Sequence, residues 1–278
     1  MHDTQIIDIR KSILTTLGMP EDAWTSQYDE PRLNSNPSWP GTDYTPSTPA
    51  ELATFIDHTL LRADATDDEI IGLCQQATRH GFASVCVNSS HVPACTQHFL
   101  QTAKASPASH QPRVCAVAGF PLGAAATPVK ASEVHYVIEN GGNEVDMVLN
   151  IGKLKSGDIR YVFNDILAVT AAAGPANTVK VILETGYLTD EQIVTACTIA
   201  VLANVEFVKT STGFGLGSAT TEHVSLMRRV VGPSLGVKAS GGIRDAGSAL
   251  AMIRAGANRI GTSSGVAIIT GAAGQFNY

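Results

Sequence analysis

Residues 205–217 read VEFVKTSTGFGLG, an apolar run that ends in a lysine and continues into small hydroxyl residues and glycines. The run predicts a short β-strand from Phe207 to Lys209. Most lysines are solvated surface charges, but a lysine at a strand end between apolar and small hydroxyl residues is not typical of that class. We therefore predict that Lys209 faces the interior of the fold, and the rest of the chain indicates which fold.

Short runs rich in β-branched residues alternate with helical stretches from Leu52 onward. Such alternation is the signature of repeated βα units around a parallel sheet. Eight units favour a closed barrel, so the predicted fold is α/β, a single-domain (β/α)8 TIM barrel. The predicted strands are residues 54–57, 83–87, 113–118, 144–149, 179–183, 207–209, 235–238 and 259–261.

Capping signals support the helices between these strands. Thr66 and Glu69 form the pattern of a capping box, and Gly81 follows the apolar face of the predicted helix as a stop signal. Thr189 and Gln192 repeat the pattern farther along the chain. Helices with defined ends therefore fill the space between predicted strands.

Residues 1–48 differ from the rest of the chain. They contain both tryptophans, and only residues 5–17 show a helical period, while residues 26–49 read as an irregular polar extension. We predict an N-terminal extension at 1–48, serving as a surface arm or an oligomer contact, and the barrel at 49–278. No role in chemistry is assigned to the extension.

Composition narrows the class of protein. The chain has 278 residues, 44% of them hydrophobic, enough for one large core. A net charge of -6 gives no electrostatic reason to expect a nucleic-acid partner. No apolar run reaches the roughly 18 residues of a membrane span. The five cysteines show no C-x-x-C spacing, so we expect a cytoplasmic protein without a membrane partner.

A second lysine strengthens the case for chemistry at the carboxyl ends of the strands, where barrels place their active sites. Lys238 lies in the next predicted strand, and neighbouring strands are about 4.8 Å apart. A nearby like charge and partial desolvation both lower the pKa of a lysine. Because a neutral amine attacks carbonyls, Lys209 and Lys238 indicate Schiff-base chemistry.

Carboxylates accompany the lysines. Asp146 lies in an otherwise apolar strand, and alternation points it into the barrel, for proton transfer or as a buried ion pair. Lys180 shares the inward parity of the following strand and is a further interior cation. Asp57 and Thr59 are expected to line the pocket from the first strand.

Two loops predict a phosphate site. Gly241 and Gly242 follow the seventh strand, and Ser263 and Ser264 follow the eighth. Barrels often bind phosphate at these two loops, because glycines let backbone N–H groups approach an anion and a short helix adds its positive end. Many barrels share this feature, so it does not identify a substrate.

Four motifs together resemble the deoxyribose-phosphate aldolase family: residues 57–61 (DHTLL), 144–148 (EVDMV), 207–214 (FVKTSTGF) and 237–244 (VKASGGIR). The resemblance covers roughly residues 50–270. It implies a class I aldolase that reversibly cleaves 2-deoxy-D-ribose 5-phosphate to acetaldehyde and D-glyceraldehyde 3-phosphate, without a metal or other cofactor, in nucleoside catabolism.

The resemblance also implies roles for residues. Lys209 matches the lysine that forms the imine, Lys238 the second lysine that perturbs it, and Asp146 the carboxylate that relays protons through water. Some members place a lysine at the position of Phe214, so this chain lacks one phosphate cation, and some have a tail tyrosine like Tyr278 that assists proton transfer. The implied substrate and phosphate contacts are Thr59, Thr212, Gly213, Gly241, Gly242, Ser263 and Ser264.

Two alternatives remain open at this stage. A Schiff-base aldolase for another phosphosugar would use the same Lys209 and the same loops, and only the donor would differ. A non-catalytic sugar-phosphate-binding barrel would need the glycines and serines, but not Asp146, Lys209 and Lys238 together. The expected partners are a small phosphosugar and aldehydes, and we expect a homo-oligomer.

Overall fold

The protein is a closed barrel of eight parallel strands, paired in sequence order from β1 to β8, with β8 against β1. This computed structural model describes residues 1–24, 44–233 and 235–271. The predicted (β/α)8 barrel is confirmed. The strands are β1 (Ile56–Leu60), β2 (Ser84–Val87), β3 (Arg113–Ala118), β4 (Glu144–Val148), β5 (Thr178–Ile182), β6 (Phe207–Lys209), β7 (Gly236–Ser240) and β8 (Arg259–Thr262).

Helices connect the strands and cover the outside of the barrel. Capping boxes at Thr66 with Glu69 and at Thr189 with Gln192 begin two of them, as predicted, and Gly81 ends the first with φ +72°. The helices are α1 (Asp3–Leu17), α2 (Pro49–Ala53), α3 (Asp67–His80), α4 (Val92–Ala105), α5 (Thr127–Glu139), α6 (Ile151–Lys155), α7 (Ile159–Ala173), α8 (Asp190–Leu202), α9 (Thr221–Val231), α10 (Ala246–Arg254) and α11 (Gly265–Thr270).

The first strand lies two residues later than predicted. Thr48 and Glu51 form a capping box that begins α2, so the short helix occupies residues to Ala53 and the strand begins at Ile56. Asp57 is therefore near the start of β1 and not at its end. The shift matters for the site, because it places the Asp57 carboxylate below the barrel mouth.

The described part of the N-terminal extension packs on its own barrel. Helix α1 contacts α7 and α8 and buries four apolar side chains in the same hydrophobic core as the barrel helices. Arg160 of α7 donates to the Thr16 carbonyl at 2.8 Å. None of the described helices is long and apolar enough to span a membrane. The four buried side chains of α1 are Ile6, Ile13, Leu14 and Leu17.

The division at residue 48 stays a prediction, and most of the irregular stretch, residues 25–43, lies outside the described residues. Tyr278 also lies outside them.

Candidate active site

Lys209 and Lys238 are register partners on β6 and β7, and both are buried. Their Nζ atoms lie 2.8 and 2.7 Å from the same oxygen, Oδ2 of Asp146. Thr210 ties the two strands together, since its hydroxyl donates to the Ser240 carbonyl at 2.9 Å and accepts from the Ser240 N–H at 3.0 Å. The structure thus brings the three predicted catalytic residues together.

Asp146 is the centre of the site. Its second oxygen, Oδ1, accepts from Lys180 Nζ at 2.8 Å and from the Cys115 thiol at 3.1 Å. Burial would raise the pKa of this carboxyl, but the ammonium groups of Lys180, Lys209 and Lys238 hold its pKa well below the ordinary value. Asp146 is therefore an anion shared by three lysines.

A second layer of charges lies behind these residues. Arg259 Nη2 lies 3.0 Å from Glu144 Oε2, and its Nε donates to Asp57 Oδ1 at 2.6 Å. Asp57 Oδ2 in turn lies 2.5 Å from Lys238 Nζ, and Glu144 Oε2 lies 2.6 Å from Lys180 Nζ. The layer holds Lys238 and Lys180 from behind and fixes where their ammonium groups point.

Sequence reasoning missed Glu144 and Arg259. Both begin their strands, β4 and β8, whereas the rule for barrel active sites favours polar residues at strand ends. A signal was present, because Glu144 lies two residues before Asp146 and therefore shares its inward face. Buried charges at the start of a barrel strand support the site from below.

The expected lowering of the lysine pKa by a like charge and desolvation is wrong for Lys238. Burial does act in that direction, but the carboxylates of Asp146 and Asp57 outweigh it and raise the pKa of Lys238 above its ordinary value. Lys238 is therefore a permanent cation at neutral pH. Its influence on Lys209 is competition for one carboxylate oxygen.

The predicted phosphate loops lie together at the carboxyl ends of β7 and β8. Gly241 and Gly242 have φ of +96° and +78°, a backbone region that favours glycine, and a Cβ on Gly242 would come within 2.8 Å of the Ser218 hydroxyl. Ser263 and the buried Ser264 immediately precede α11. Strand pairing between β7 and β8 keeps these loops side by side.

Thr212 and Thr59, two other predicted substrate contacts, donate their hydrogen bonds to groups of the protein itself. The N–H and the hydroxyl of Thr212 both donate to the Glu184 carboxylate, the N–H at 3.2 Å. The Thr59 hydroxyl donates to the Asp57 carbonyl at 2.9 Å. Any effect of Thr212 on a phosphate is thus indirect in this arrangement. Gly213, the next residue, has φ +88° and continues the loop.

Two buried hydroxyls near the lysines were not predicted. Ser211 and Ser240 each follow a site lysine by two residues and share its inward face. Their Oγ atoms have no hydrogen-bond partner within the described part of the chain. Because buried polar groups normally have partners, these hydroxyls are candidates to meet a bound polar molecule.

Among the residues that the structure describes, one group of potential metal ligands is present. The sulfurs of Cys86 and Cys115 and a carboxylate oxygen of Asp146 lie within 4.8 Å of one another. Three lysines already occupy Asp146, and burial raises the pKa of the Cys115 thiol well above its ordinary value. The surrounding cations and the protonated thiol disfavour a divalent ion there.

The chain is similar to known proteins over most of its length. Residues 52–271 match the family model described as DeoC/LacD family aldolase. The chain belongs to that family. A deoxyribose-phosphate aldolase of Brevibacillus brevis is 54% identical over 218 residues, 78% of this aldolase and 95% of the relative. One of Thermococcus gammatolerans is 52% identical over 223 residues, 80% and 96% of the two chains.

A solved structure agrees with the sequence relatives. The deoxyribose phosphate aldolase from Aeropyrum pernix, described as a unique tetramer, has a TM-score of 0.71 and 32% identity, covering 81% of this aldolase and 92% of that chain. The predicted family and enzyme class are confirmed.

Proposed function

We propose that this aldolase reversibly cleaves 2-deoxy-D-ribose 5-phosphate to acetaldehyde and D-glyceraldehyde 3-phosphate through an imine on Lys209. One observation carries the proposal: Lys209 and Lys238 bind the same oxygen of Asp146. Lys238 also pairs with Asp57, whereas Lys209, among the described residues, pairs with this shared carboxylate alone. Lys238 therefore stays protonated, and Lys209 is the amine that reacts.

In the synthetic direction, the Lys209 ammonium gives up one proton through water to Asp146, the neutral amine adds to the acetaldehyde carbonyl, and loss of water gives the imine. Removal of a methyl proton converts the imine into an enamine, whose carbon attacks the aldehyde carbon of glyceraldehyde 3-phosphate. Water then releases the product and returns the amine. Asp146, an anion between Lys209 and Lys238, accepts and returns the protons through water.

The phosphate holds the acceptor aldehyde beside the enamine and turns a bimolecular step into an oriented one. The glycines at positive φ allow the backbone to approach an anion closely, while Ser211 and Ser240 offer buried hydroxyls that have no partner among the described residues. We assign phosphate binding to Gly213, Gly241, Gly242, Ser263 and Ser264.

Borohydride reduction in the presence of acetaldehyde tests the imine, because it leaves a permanent two-carbon adduct on the reacting lysine. Peptide mass mapping should place the adduct on Lys209, and the Lys209→Ala variant should lack it. Lys104→Ala, an exposed change on α4, is the matched control and should keep it. No adduct, or adducts on surface lysines alone, would leave a phosphate-binding barrel without catalysis as the better account.

A donor assay separates this proposal from an aldolase for another phosphosugar. Lys209 should trap acetaldehyde in preference to three-carbon ketone donors, and 2-deoxy-D-ribose 5-phosphate should be cleaved without added metal or other cofactor. Preference for a ketone donor would support the alternative.

Further expectations belong to the same proposal. We propose a homo-oligomer that acts in the cytoplasm in nucleoside catabolism, with residues 1–48 as an extension to the barrel and Tyr278 as an assistant in proton transfer. The tetrameric description of the Aeropyrum pernix relative supports the oligomer. Light scattering tests it, and a mass of one chain would contradict it.

A further inference from the structure

Glu184 is a buried carboxylate beside the site with an unusual backbone. It follows β5 by two residues and has φ 56° and ψ 62°, in the left-handed region that side-chain-bearing residues seldom adopt. Strained backbone of this kind is retained where the surroundings require it, and it concentrates at functional sites.

The carboxylate of Glu184 holds the segment that follows Lys209. It accepts the Thr212 N–H at 3.2 Å and also the Thr212 hydroxyl, and that hydroxyl accepts the Phe214 N–H at 3.0 Å. A backbone bond runs alongside, since the Thr185 N–H donates to the Thr210 carbonyl at 3.0 Å. Glu184 thus holds the segment at Thr212, and the Thr212 hydroxyl in turn holds it at Phe214.

The turn that carries Glu184 lies directly against this loop. A Cβ on Gly215 would come within 2.8 Å of Glu184 Cδ, and one on Gly186 would come within 1.6 Å of the Leu216 carbonyl oxygen. Backbones this close leave the loop little freedom to move independently of Glu184.

None of the ion pairs found among the described residues includes Glu184. Burial raises the pKa of its carboxyl, and the hydrogen bonds from Thr212 and the charge of Lys209 act in the opposite direction. A buried carboxylate without a directly paired cation is unfavourable for stability. Its partners instead are the two donors of Thr212, one residue before the predicted phosphate contact Gly213.

We propose that Glu184 is a positioning residue that holds the loop from Thr212 to Phe214 in the form that receives the phosphate. It thereby sets the preference of the enzyme for phosphorylated over unphosphorylated substrate. The inference rests on the proposed function, because it assumes that Gly213 meets the phosphate of 2-deoxy-D-ribose 5-phosphate.

The Glu184→Gln variant tests the proposal, because it keeps the side-chain volume and removes the charge that accepts both Thr212 donors. We measure kcat and KM for 2-deoxy-D-ribose 5-phosphate and for 2-deoxy-D-ribose. For the phosphorylated substrate, kcat/KM should fall about tenfold, mainly through KM, as expected for a lost charged hydrogen bond. The matched control Glu191→Gln, an exposed change on α8, should alter neither substrate.

A second variant guards against a folding defect. Thr212→Val removes the hydroxyl but keeps the N–H, so it should shift the same substrate ratio in the same direction by a smaller factor. If both substrates lose activity equally in Glu184→Gln, or the ratio is unchanged in both variants, the positioning role is wrong.

Imine trapping separates this failure from failure of the proposed function. Glu184→Gln should still form the acetaldehyde adduct on Lys209. A wild-type enzyme that traps no acetaldehyde and cleaves neither substrate would overturn both proposals, whereas normal trapping with an unchanged substrate ratio would overturn only the role of Glu184.

Discussion

Lys130 and Lys209 are both buried lysines that contact a carboxylate, but they differ in how that carboxylate is shared. Lys130 of α5 lies 2.6 Å from Asp165 Oδ2 of α7 and donates to the Val148 carbonyl at 2.9 Å. The other oxygen of Asp165 accepts from the Thr127 hydroxyl at 2.7 Å. One cation faces one carboxylate there, and the pair joins two helices on the outside of the barrel.

Lys209 shares its carboxylate. Asp146 meets three ammonium groups inside the barrel, so its charge is divided among Lys180, Lys209 and Lys238. Burial of a lysine is common to both places and does not by itself indicate chemistry. Competition of several cations for one carboxylate distinguishes the reactive cluster from the structural pair.

The two regions should differ most in kcat when the carboxylate charge of each is removed. Asp146→Asn should lower kcat about 10²- to 10⁴-fold, the usual contribution of a positioned proton-transfer group. Asp165→Asn should leave kcat within about twofold, because the Asp165 carboxylate bonds to Lys130 and Thr127 of α5 on the outside of the barrel. Initial rates of 2-deoxy-D-ribose 5-phosphate cleavage measure both.

Stability provides the control for this pair of variants. Asp165→Asn leaves Lys130 buried without its anion and should lower the thermal unfolding midpoint, so kcat is measured well below that temperature. A large loss of kcat in Asp165→Asn would mean that the outer pair also serves catalysis.

Removing a cation from each region should lower the stability of the fold, and here the two regions should differ less. Arg259→Met leaves Asp57 and Glu144 without a shared guanidinium, and Lys130→Met leaves Asp165 without its cation. Each change should lower the free energy of unfolding at pH 7 by about 3–5 kcal/mol, the usual result of breaking a buried ion pair. Urea unfolding measures both.

Acidity should modify the Arg259→Met effect in a defined direction. Burial would raise the pKa values of Asp57 and Glu144, but Arg259 and nearby lysines lower them. Their contribution to wild-type stability is therefore present above about pH 4 and is lost as the pH falls through the folded-state values. The difference in the free energy of unfolding between wild type and Arg259→Met should therefore become smaller below about pH 4. A difference that stays constant with pH would contradict the assignment.

Much of the reactive cluster was predictable from sequence, because strand alternation and the position of residues late in strands follow simple rules. Lys209 satisfies both rules, Lys238 and Asp146 satisfy the alternation rule from the middle of their strands, and the structure places the three in contact. Glu144 and Arg259 satisfy only the alternation rule, since they begin their strands. Their pairing depends on the closure of β8 beside β1, which local sequence does not encode.

The structural pair illustrates another limit. Lys130 lies on an amphipathic helix, where a lysine is normally an exposed charge, and nothing local indicates that Asp165 meets it 35 residues later. The raised pKa of Lys238 was likewise unpredictable, because it depends on Asp57 and Asp146 arriving from two other strands. Helix-to-helix and strand-to-strand partners require the tertiary fold.

The smallest expected effects come from removing one neutral donor from each carboxylate. Cys115→Ala removes the thiol that donates to Asp146 and should lower kcat about fivefold, whereas Thr127→Val should lower the free energy of unfolding by about 1 kcal/mol and leave kcat unchanged. Cys115→Ser keeps a donor and should restore most of the rate.

Lys130 bonds to the Val148 carbonyl, two residues after Asp146 on β4. A loss of kcat in Thr127→Val would therefore show that the outer pair positions the reactive carboxylate through that strand.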